Sequence, residues 1–249
     1  MFYVNLKYLK RKVFTVDKMS VIVPCFNEED VLPLFYQEVT KVLESIENTT
    51  YELLFINDGS SDHTEDLIKL MAHKNKQCFY YSFSRNFGKE AAMYAGLENA
   101  TGDYVVIMDA DLQHPPYLLK EMYHSLKEEN YDCCAGKRID RTGEGKLRNF
   151  LSHGFYKVIQ TLTKMDMDDG AGDFRMMTRQ MVDAILELKE YNRYMKGLFS
   201  FVGFNTKWLE FNNVERQGGK TKWSFKSLFS YAFILILDLV LSAIQTLLA

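Results

Sequence analysis

Two aspartates one residue apart carry the clearest chemical signal in the chain. Asp109 and Asp111 follow the apolar run 105–108, and Gln113 and the proline pair 115–116 come soon after them. A continuous apolar run predicts a strand buried on both faces, and no strand continues through two prolines. The aspartates are therefore expected at the carboxyl end of a strand, the edge where open α/β sheets bind ligands.

The oxygen atoms of Asp109, Asp111 and Gln113 suit one divalent cation that keeps coordination positions free for phosphate. An isolated pair of aspartates at this spacing is more often a surface or capping pair. The buried strand expected just before the pair favours the metal interpretation here. These residues alone suggest the hypothesis of a metal site that holds a nucleotide diphosphate.

Composition sets limits on the function. The chain has 249 residues, of which 47% are hydrophobic and 25% charged, and its net charge is -3. These values are typical of a globular domain with a sizeable core. The small net charge argues against a nucleic-acid-binding protein. The four cysteines lack C-x-x-C spacing, which indicates reduced, structural thiols rather than zinc ligands or disulfides.

Apolar runs alternate with helical stretches along the first half of the chain. Strands are expected over residues 20–24, 51–57, 78–83 and 105–108, and helices over residues 31–47, 64–73, 90–99 and 117–130. Further strands are expected over residues 132–136, 173–177 and 206–211, and a further helix over residues 178–188. The β-α-β-α-β-α-β order predicts an α/β fold with a mainly parallel sheet flanked by helices.

Two loops rich in lysine and arginine follow the carboxylate strand. Residues 137–148 contain five cations against two acids, and residues 216–222 form a second basic loop. Arg148 and Ser152 fall at positions i and i+4, on one face of the helix expected next. The loops predict a place for a second anion beside the metal site.

The ends of the chain are expected to lie outside the main domain. Residues 1–18 lack the apolar core of a signal peptide, so they are either a flexible extension or an artefact with Met19 as the native start. Residues 19–212 form the main domain. Residues 213–249 are expected to form a basic loop and an amphipathic interfacial helix, because Asp238 interrupts the apolar run. Two alternatives for residues 213–249 are a helix packed in the core and a chain that is truncated before transmembrane helices.

Four short motifs occur in the order known from one enzyme family. They are Val-Pro-Cys-Phe-Asn-Glu-Glu at 23–29, Asn-Asp-Gly-Ser-Ser-Asp at 57–62, Asp-Ala-Asp-Leu-Gln-His-Pro-Pro at 109–116 and Gly-Asp-Phe-Arg at 172–175. Together they resemble the family-2 glycosyltransferases of the polyprenyl-phosphate type, such as dolichyl-phosphate mannose synthase and bacterial undecaprenyl-phosphate glucosyltransferase. The resemblance implies a GT-A (Rossmann-like) fold, a nucleotide-sugar donor, Mg²⁺ or Mn²⁺, and inversion at the anomeric carbon.

The resemblance also implies roles for individual residues. The nucleotide-sugar would be bound by Pro24, Phe26, Glu28, Ile56, Asp58, Asp109, Ala110, Asp111, Gln113, Arg216 and Lys222, and the metal by Asp109, Asp111 and Gln113. The acceptor phosphate would be bound by Arg138, Arg148 and Ser152. Asp109, Asp111 and Asp173 would be catalytic, with Asp173 as a base for a hydroxyl acceptor and as an orienting group otherwise. Lys89, beside Gly88, is a further residue that could approach the donor.

The implied function is inverting transfer of a hexose, with UDP-glucose as the favoured donor, to the phosphate of a polyprenyl phosphate. Such a lipid-linked sugar would serve cell-envelope glycosylation, with the enzyme at the cytoplasmic face of the cell membrane and a homo-oligomer allowed. A lipid phosphate is already an anion, so its attack needs no general base. Transfer to a sugar hydroxyl of a glycan and a truncated, non-catalytic accessory role are the alternatives.

Overall fold

A computed structural model describes residues 16–139, 171–188 and 194–212 of the chain. Within these ranges seven strands form one sheet: β1 (Asp17–Cys25), β2 (Thr49–Asn57), β3 (Cys78–Ser82), β4 (Tyr104–Ile107), β5 (Cys133–Arg138), β6 (Ala171–Thr178) and β7 (Thr206–Phe211). The same ranges contain helices α1 (Leu32–Leu43), α2 (Thr64–Lys74), α3 (Lys89–Asn99), α4 (Leu118–Glu128), α5 (Arg179–Leu186) and α6 (Met195–Phe201).

The sheet has the strand order β3-β2-β1-β4-β6-β5-β7. β1 pairs in parallel with β2 and β4, β2 with β3, and β5 with β7. β6 runs antiparallel to both of its neighbours, β4 and β5. The expected α/β fold with a mainly parallel sheet is confirmed, and β6 is its one reversed strand within the described ranges.

Side chains on the two faces of the sheet build two separate cores. Val21 and Leu53 pack with helices α1, α2 and α4 on one face. Ile22 and Leu54 pack with helices α3, α5 and α6 on the other face, because successive strand residues point to opposite sides. Both faces are covered, which explains why the central strands are continuous apolar runs such as 105–107.

The parallel register aligns the carboxyl ends of the strands. Cys25 pairs with Asn57, Asn57 with Ser82, and Ile22 with Ile107. Strands β2 and β3 lie on one side of β1 and β4 lies on the other, so the strand order reverses between β1 and β4. Such a reversal is where open α/β sheets bind ligands, and the loops that follow β1, β2 and β4 open at this edge.

The first strand begins earlier than expected. β1 starts at Asp17 rather than at Ser20. Asp17 accepts a hydrogen bond from the Tyr123 hydroxyl at 2.6 Å, and the backbone N–H of Lys18 donates to Asp103 at 2.8 Å. Residues 17 and 18 therefore belong to the main domain and not to an extension.

The fifth strand also differs from the expectation. β5 continues to Arg138 instead of ending at Gly136, because Arg138 pairs with Phe211 of β7. Arg138 therefore lies on the sheet and not in a mobile loop. Helix α1 ends at Leu43, ahead of the expected end at residue 47.

Other expectations concern the ends of the chain and its cysteines. Residues 1–15 and 213–249, including the expected interfacial helix, lie outside the described residues. In the part of the chain that is described, no helix is both long and apolar enough to cross a membrane. All four cysteines are buried, in agreement with a structural role.

A buried carboxylate fixes the start of β4 against β1 and β2. Glu52 is 3% exposed, accepts hydrogen bonds from Ser20 Oγ at 2.6 Å and from the Thr101 N–H at 2.7 Å, and pairs with Lys18 Nζ at 2.6 Å. Ser20 Oγ accepts from the Gly102 N–H at 2.7 Å. A Cβ on Gly102 would lie 2.7 Å from the Lys18 carbonyl oxygen, so this close approach requires glycine.

Glu52→Gln is expected to lower the free energy of unfolding at pH 7 by about 1.5–3 kcal/mol, the range for hydrogen bonds to charged groups. Burial raises the pKa of Glu52, but the hydrogen bonds from Lys18, Ser20 and Thr101 outweigh it and leave the pKa below its ordinary value. A carboxyl with a depressed pKa stabilises the fold above its unfolded pKa of about 4.3 and loses this contribution as the pH falls through the folded pKa.

Urea unfolding of the wild type and Glu52→Gln should therefore differ most at neutral pH and converge below about pH 4. Glu98→Gln, on the exposed side of α3, is the matched control and should leave stability unchanged. A difference that stays constant from pH 7 to pH 3 would show that the charge of Glu52 is irrelevant.

Candidate active site

The residues that the sequence singles out meet at the carboxyl edge of the sheet. Phe26 follows β1, Asp58 follows β2, Asp109 follows β4 after one residue, and Arg138 ends β5. All four strands run in the same direction, because β4 and β5 are both antiparallel to β6. The four positions therefore share one edge of the sheet.

The residues implied for nucleotide binding differ in what they present to a ligand. Pro24, Phe26 and Glu28 are partly exposed. Ile56 is fully buried, and its side chain packs in the core with α3, so its backbone is the part left for a ligand. Ala110 is 2% exposed and likewise offers only its backbone.

Asp58 anchors the loop between β3 and α3. Its Oδ1 accepts a hydrogen bond from the Phe87 N–H at 2.7 Å, and its Oδ2 accepts one from the Gly88 N–H at 2.9 Å. Gly59 has a φ of +66°, and a Cβ there would lie 2.4 Å from the Arg85 carbonyl carbon. Burial raises the pKa of Asp58, and the two backbone N–H groups oppose this shift without cancelling it. Asp58 is 3% exposed, and it shapes the site by holding this loop in place.

The loops after β1 and β2 are tied to each other through polar contacts. The Ser61 N–H donates to Asn27 Oδ1 at 2.8 Å, and the Asn27 N–H donates to Ser60 Oγ at 3.0 Å. The Glu28 N–H donates to Thr64 Oγ1 at 2.7 Å. Asn27 adopts a φ of 53°, a left-handed conformation that asparagine tolerates better than most residues. These contacts fix the backbone of the two loops relative to each other.

His114 braces the turn that carries the aspartates. It is 3% exposed and stacks on Phe174, with ring centroids 4.8 Å apart and planes 9° apart. Its Nδ1 accepts a hydrogen bond from the Asp109 N–H at 3.2 Å. Burial lowers the pKa of His114, so the ring is neutral at pH 7 and carries its proton on Nε2, which is 4.0 Å from Asp109 Oδ2.

The antiparallel register of β4 and β6 brings a third aspartate to the site. Ile107 pairs with Arg175, so two residues further along β4 and two residues back along β6 place Asp109 opposite Asp173. Lys89, the first residue of α3, reaches both carboxylates. Its Nζ lies 2.7 Å from Asp109 Oδ1 and 2.7 Å from Asp173 Oδ2.

This shared ammonium controls the charge of both carboxylates. Burial raises the pKa of Asp109 and of Asp173, but nearby positive groups, with Lys89 first among them, together outweigh burial and hold both pKa values below the ordinary range. Burial lowers the pKa of Lys89, and the two carboxylates more than reverse that effect. Asp173 Oδ1 is buried, and it has no hydrogen-bond partner within the residues described. Its acceptor capacity is therefore unused among the described residues.

The turn after β4 supplies the oxygen ligands that a hard divalent cation prefers. Asp109 and Asp111 supply carboxylate oxygens and Gln113 an amide oxygen, the atoms that Mg²⁺ and Mn²⁺ prefer. Asp111 Oδ1 accepts a hydrogen bond from the Gln113 N–H at 3.1 Å, which holds the turn closed. Over the described ranges, no three His, Cys, Asp or Glu side chains are grouped to hold a metal ion. Two carboxylates and one amide fit a cation that shares its shell with water and phosphate.

Arg138 joins this turn to the basic end of β5. Its Nη2 lies 3.5 Å from Gln113 Oε1, a long contact that puts a guanidinium beside the acidic turn. A guanidinium is suited to bidentate binding of phosphate. The remaining residues implied for phosphate and donor binding lie outside the described residues: Arg148, Ser152, Arg216 and Lys222.

The sequence identifies the carboxylates but not the groups that hold them. Lys89 is expected only to approach the donor, whereas the structure makes it the common partner of Asp109 and Asp173. His114 receives no role, although its place between Gln113 and the prolines was a usable signal. The hydrogen bonds between Asp58 and the loop before α3 join residues that are far apart in the chain, so no local sequence pattern predicts them.

The profile of Glycosyl transferase family 2 matches residues 20–186. The chain belongs to this family. The expected family and enzyme class, a glycosyltransferase, are thereby confirmed.

Individual relatives agree with the family assignment. The chain is 47% identical over 213 residues to the protein CsbB of Bacillus subtilis (strain 168), covering 86% of this chain and 64% of CsbB. It is 38% identical over 215 residues to the bactoprenol glucosyl transferase of Shigella phage SfX, covering 86% of this chain and 70% of that protein. The chain thus spans about two thirds of the length of these curated relatives.

Solved structures confirm the GT-A fold. The chain resembles glucosyl-3-phosphoglycerate synthase from Mycobacterium tuberculosis, in complex with Mn²⁺, UDP-glucose and phosphoglyceric acid, with a TM-score of 0.58 and 18% identity over 91% of this chain and 79% of that one. It also resembles the mannosyltransferase PcManGT from Pyrobaculum calidifontis, in complex with GDP-Man and Mn²⁺, with a TM-score of 0.59 and 17% identity over 92% of this chain and 64% of that one.

Asp58→Asn is expected to loosen the loop before α3. Asparagine keeps one acceptor oxygen and replaces the other with a donor, so either Phe87 or Gly88 loses its partner, at a cost of about 1–3 kcal/mol. Amide hydrogen exchange of a peptide covering residues 83–89 should become faster in the variant. Asp66→Asn, an exposed change in α2, should leave that exchange unchanged, and equal rates in Asp58→Asn and wild type would contradict the anchoring role.

Proposed function

We propose that the protein transfers a hexose, with UDP-glucose as donor, to the phosphate of a polyprenyl phosphate, with inversion at the anomeric carbon. The product is a lipid-linked sugar for glycosylation of the cell envelope. The observation that carries the proposal is the acidic turn after β4 lying beside a guanidinium, with Arg138 Nη2 3.5 Å from Gln113 Oε1. One sheet edge then serves two phosphate-bearing substrates.

The donor lies on the β1, β2 and β4 side of this edge. Phe26 stacks on the base, and Asp58 and Glu28 face the base and ribose. Asp109, Asp111 and Gln113 would hold Mg²⁺ or Mn²⁺ beside the donor diphosphate. When bound, the metal offsets the negative charge that develops on the leaving nucleotide diphosphate.

The relatives support the choice of sugar and acceptor. The Shigella phage SfX protein, 38% identical to this chain, carries both glucose and bactoprenol in its name. The protein of Shigella phage SfV, also 38% identical to this chain, has the same name. Because both cover most of this chain, glucose and a polyprenyl phosphate are the substrates we assign to it.

The low pKa of Asp173 favours a phosphate as the acceptor over a sugar hydroxyl. A general base works best when its pKa is close to the working pH. Burial raises the pKa of Asp173, but Lys89, Lys196 and Arg175 together outweigh it and keep the pKa well below the ordinary range, so Asp173 is a weak base. A lipid phosphate needs no base: its oxygen forms the new bond to the anomeric carbon as the bond to the diphosphate breaks. Asp173 then acts as an orienting group and not as a base.

The acceptor requires the site to work at a bilayer surface. We place the enzyme at the cytoplasmic face of the cell membrane, where a water-soluble donor meets a lipid acceptor. One apolar side chain is exposed beside the candidate phosphate ligand Arg138: Ile139, which directly follows it, is 60% exposed. Exposed apolar groups next to a cation suit the boundary between headgroups and acyl chains.

The direct test is a transfer assay with the full chain. UDP-glucose, undecaprenyl phosphate in detergent micelles and Mn²⁺ are expected to give a glucosylated lipid, measured as radiolabelled glucose that moves into the organic phase. GDP-mannose, UDP-N-acetylglucosamine and UDP-galactose serve as competing donors. Transfer to an added glycan but not to the lipid would favour the hydroxyl-acceptor alternative, and binding of donor without any transfer would favour the accessory role.

Arg138→Ala is expected to raise the KM for undecaprenyl phosphate about 10- to 100-fold, the loss typical of one charge-assisted contact. The KM for the donor should change far less. Arg138→Lys should recover part of the loss, because lysine keeps the charge but not the planar fork. Lys207→Ala removes an exposed ion pair to Glu129 and is the matched control. Equal effects on the two KM values would contradict an acceptor role.

A further inference from the structure

Both sequence neighbours of Lys89 are hydrogen-bonded to other parts of the fold. The N–H of Gly88 donates to Asp58 at 2.9 Å, and the carboxylate of Glu90 accepts from the Met195 N–H at 3.0 Å. The start of α3 is therefore fixed against β2 and α6. Movement at Lys89 is left to its side chain, which is 29% exposed.

The ammonium of Lys89 occupies the carboxylate that the metal would need. Nζ lies 2.7 Å from Asp109 Oδ1 and 2.8 Å from Asp109 Oδ2, so both oxygens are engaged at once. A divalent cation on Asp109 must take at least one of the same oxygens. Two cations at such a short distance repel each other strongly in a partly buried site. Lys89 and the metal therefore compete for Asp109.

Asp173 is a second ion-pair partner for Lys89. Its Oδ2 is 2.7 Å from Nζ, and this carboxylate belongs to β6 and not to the turn that carries Asp109. Lys89 can leave Asp109 and remain paired with Asp173, without entering water. A small rotation of one side chain is then enough to exchange the cation on Asp109.

We infer that Lys89 is a positioning residue that occupies Asp109 in the metal-free protein and yields it to a divalent cation, remaining on Asp173. The inference rests on the metal placement in the proposed function. Its consequence is weak binding of the metal alone, because the metal must displace an ammonium. Phosphate oxygens of a nucleotide-sugar would supply further metal ligands and raise the affinity for the metal. Metal and donor are therefore expected to bind cooperatively.

The test is a titration of the folded full chain with Mn²⁺ alone, with free Mn²⁺ measured by electron paramagnetic resonance. Lys89→Met, which keeps the length of the side chain without its charge, is expected to bind Mn²⁺ about tenfold more tightly than wild type, since a cation at this range shifts carboxylate equilibria by that order. Lys89→Arg keeps a cation on Asp109 and should bind Mn²⁺ no more tightly than wild type. Lys69→Met, which breaks the exposed pair with Glu65 at 2.8 Å, is the matched control.

Thermal unfolding gives a second measurement that does not depend on turnover. Without metal, Lys89→Met should unfold at a lower temperature than wild type, because Asp109 and Asp173 then face each other without their shared cation. Added Mn²⁺ should raise the unfolding temperature of Lys89→Met more than that of wild type. A purely structural ion pair would lower stability without tightening the binding of Mn²⁺.

Unchanged or weaker Mn²⁺ binding by Lys89→Met would overturn the inference, as would tighter binding by Lys89→Arg. If Lys89→Met fails to fold, the Lys89→Arg titration alone decides. Failure of the proposed function is a separate result: a wild-type enzyme that forms no glycolipid would refute the acceptor, while the order of Mn²⁺ affinities would stand.

Discussion

One ammonium shared by two carboxylates is the interaction on which the site depends. Asp109 and Asp173 come from strands of opposite direction and would repel each other in a partly buried edge without Lys89. That ammonium is delivered by the first residue of a helix, so the helix start must be fixed in space. Asp58 and Glu90 provide this restraint from two sides. The geometry of the site thus follows from the packing of α3 against the sheet edge.

The parts that the sequence predicts well are those encoded by local pattern. The apolar run before Asp109 and the prolines after it predict a strand end, and the strand end is found there. The direction of β6 is not encoded by local pattern, because the same residue pattern occurs in parallel and in antiparallel strands. Its reversal is what sets Asp173 opposite Asp109, so the partner of Lys89 could not be foreseen from residue types alone.

For Arg138, the local pattern predicts the wrong structure. Its charged surroundings favour a loop, yet pairing with Phe211 of β7 extends the strand to include it. A cation on a strand is placed more rigidly than one on a loop. The acceptor side of the proposed reaction therefore has one fixed point in Arg138, and the donor side has fixed points in the braced turn at His114 and in the loop held by Asp58.

The pairing of β4 with β6 also limits how this protein can evolve. Side chains alternate between the two faces of a strand, so a deletion of one residue turns every later side chain to the wrong face. Loss of one residue between Ile107 and Asp109, or between Asp173 and Arg175, would separate the two carboxylates even with every site residue retained. Point substitutions can retune specificity around this pair, whereas insertions and deletions have to accumulate elsewhere in the chain.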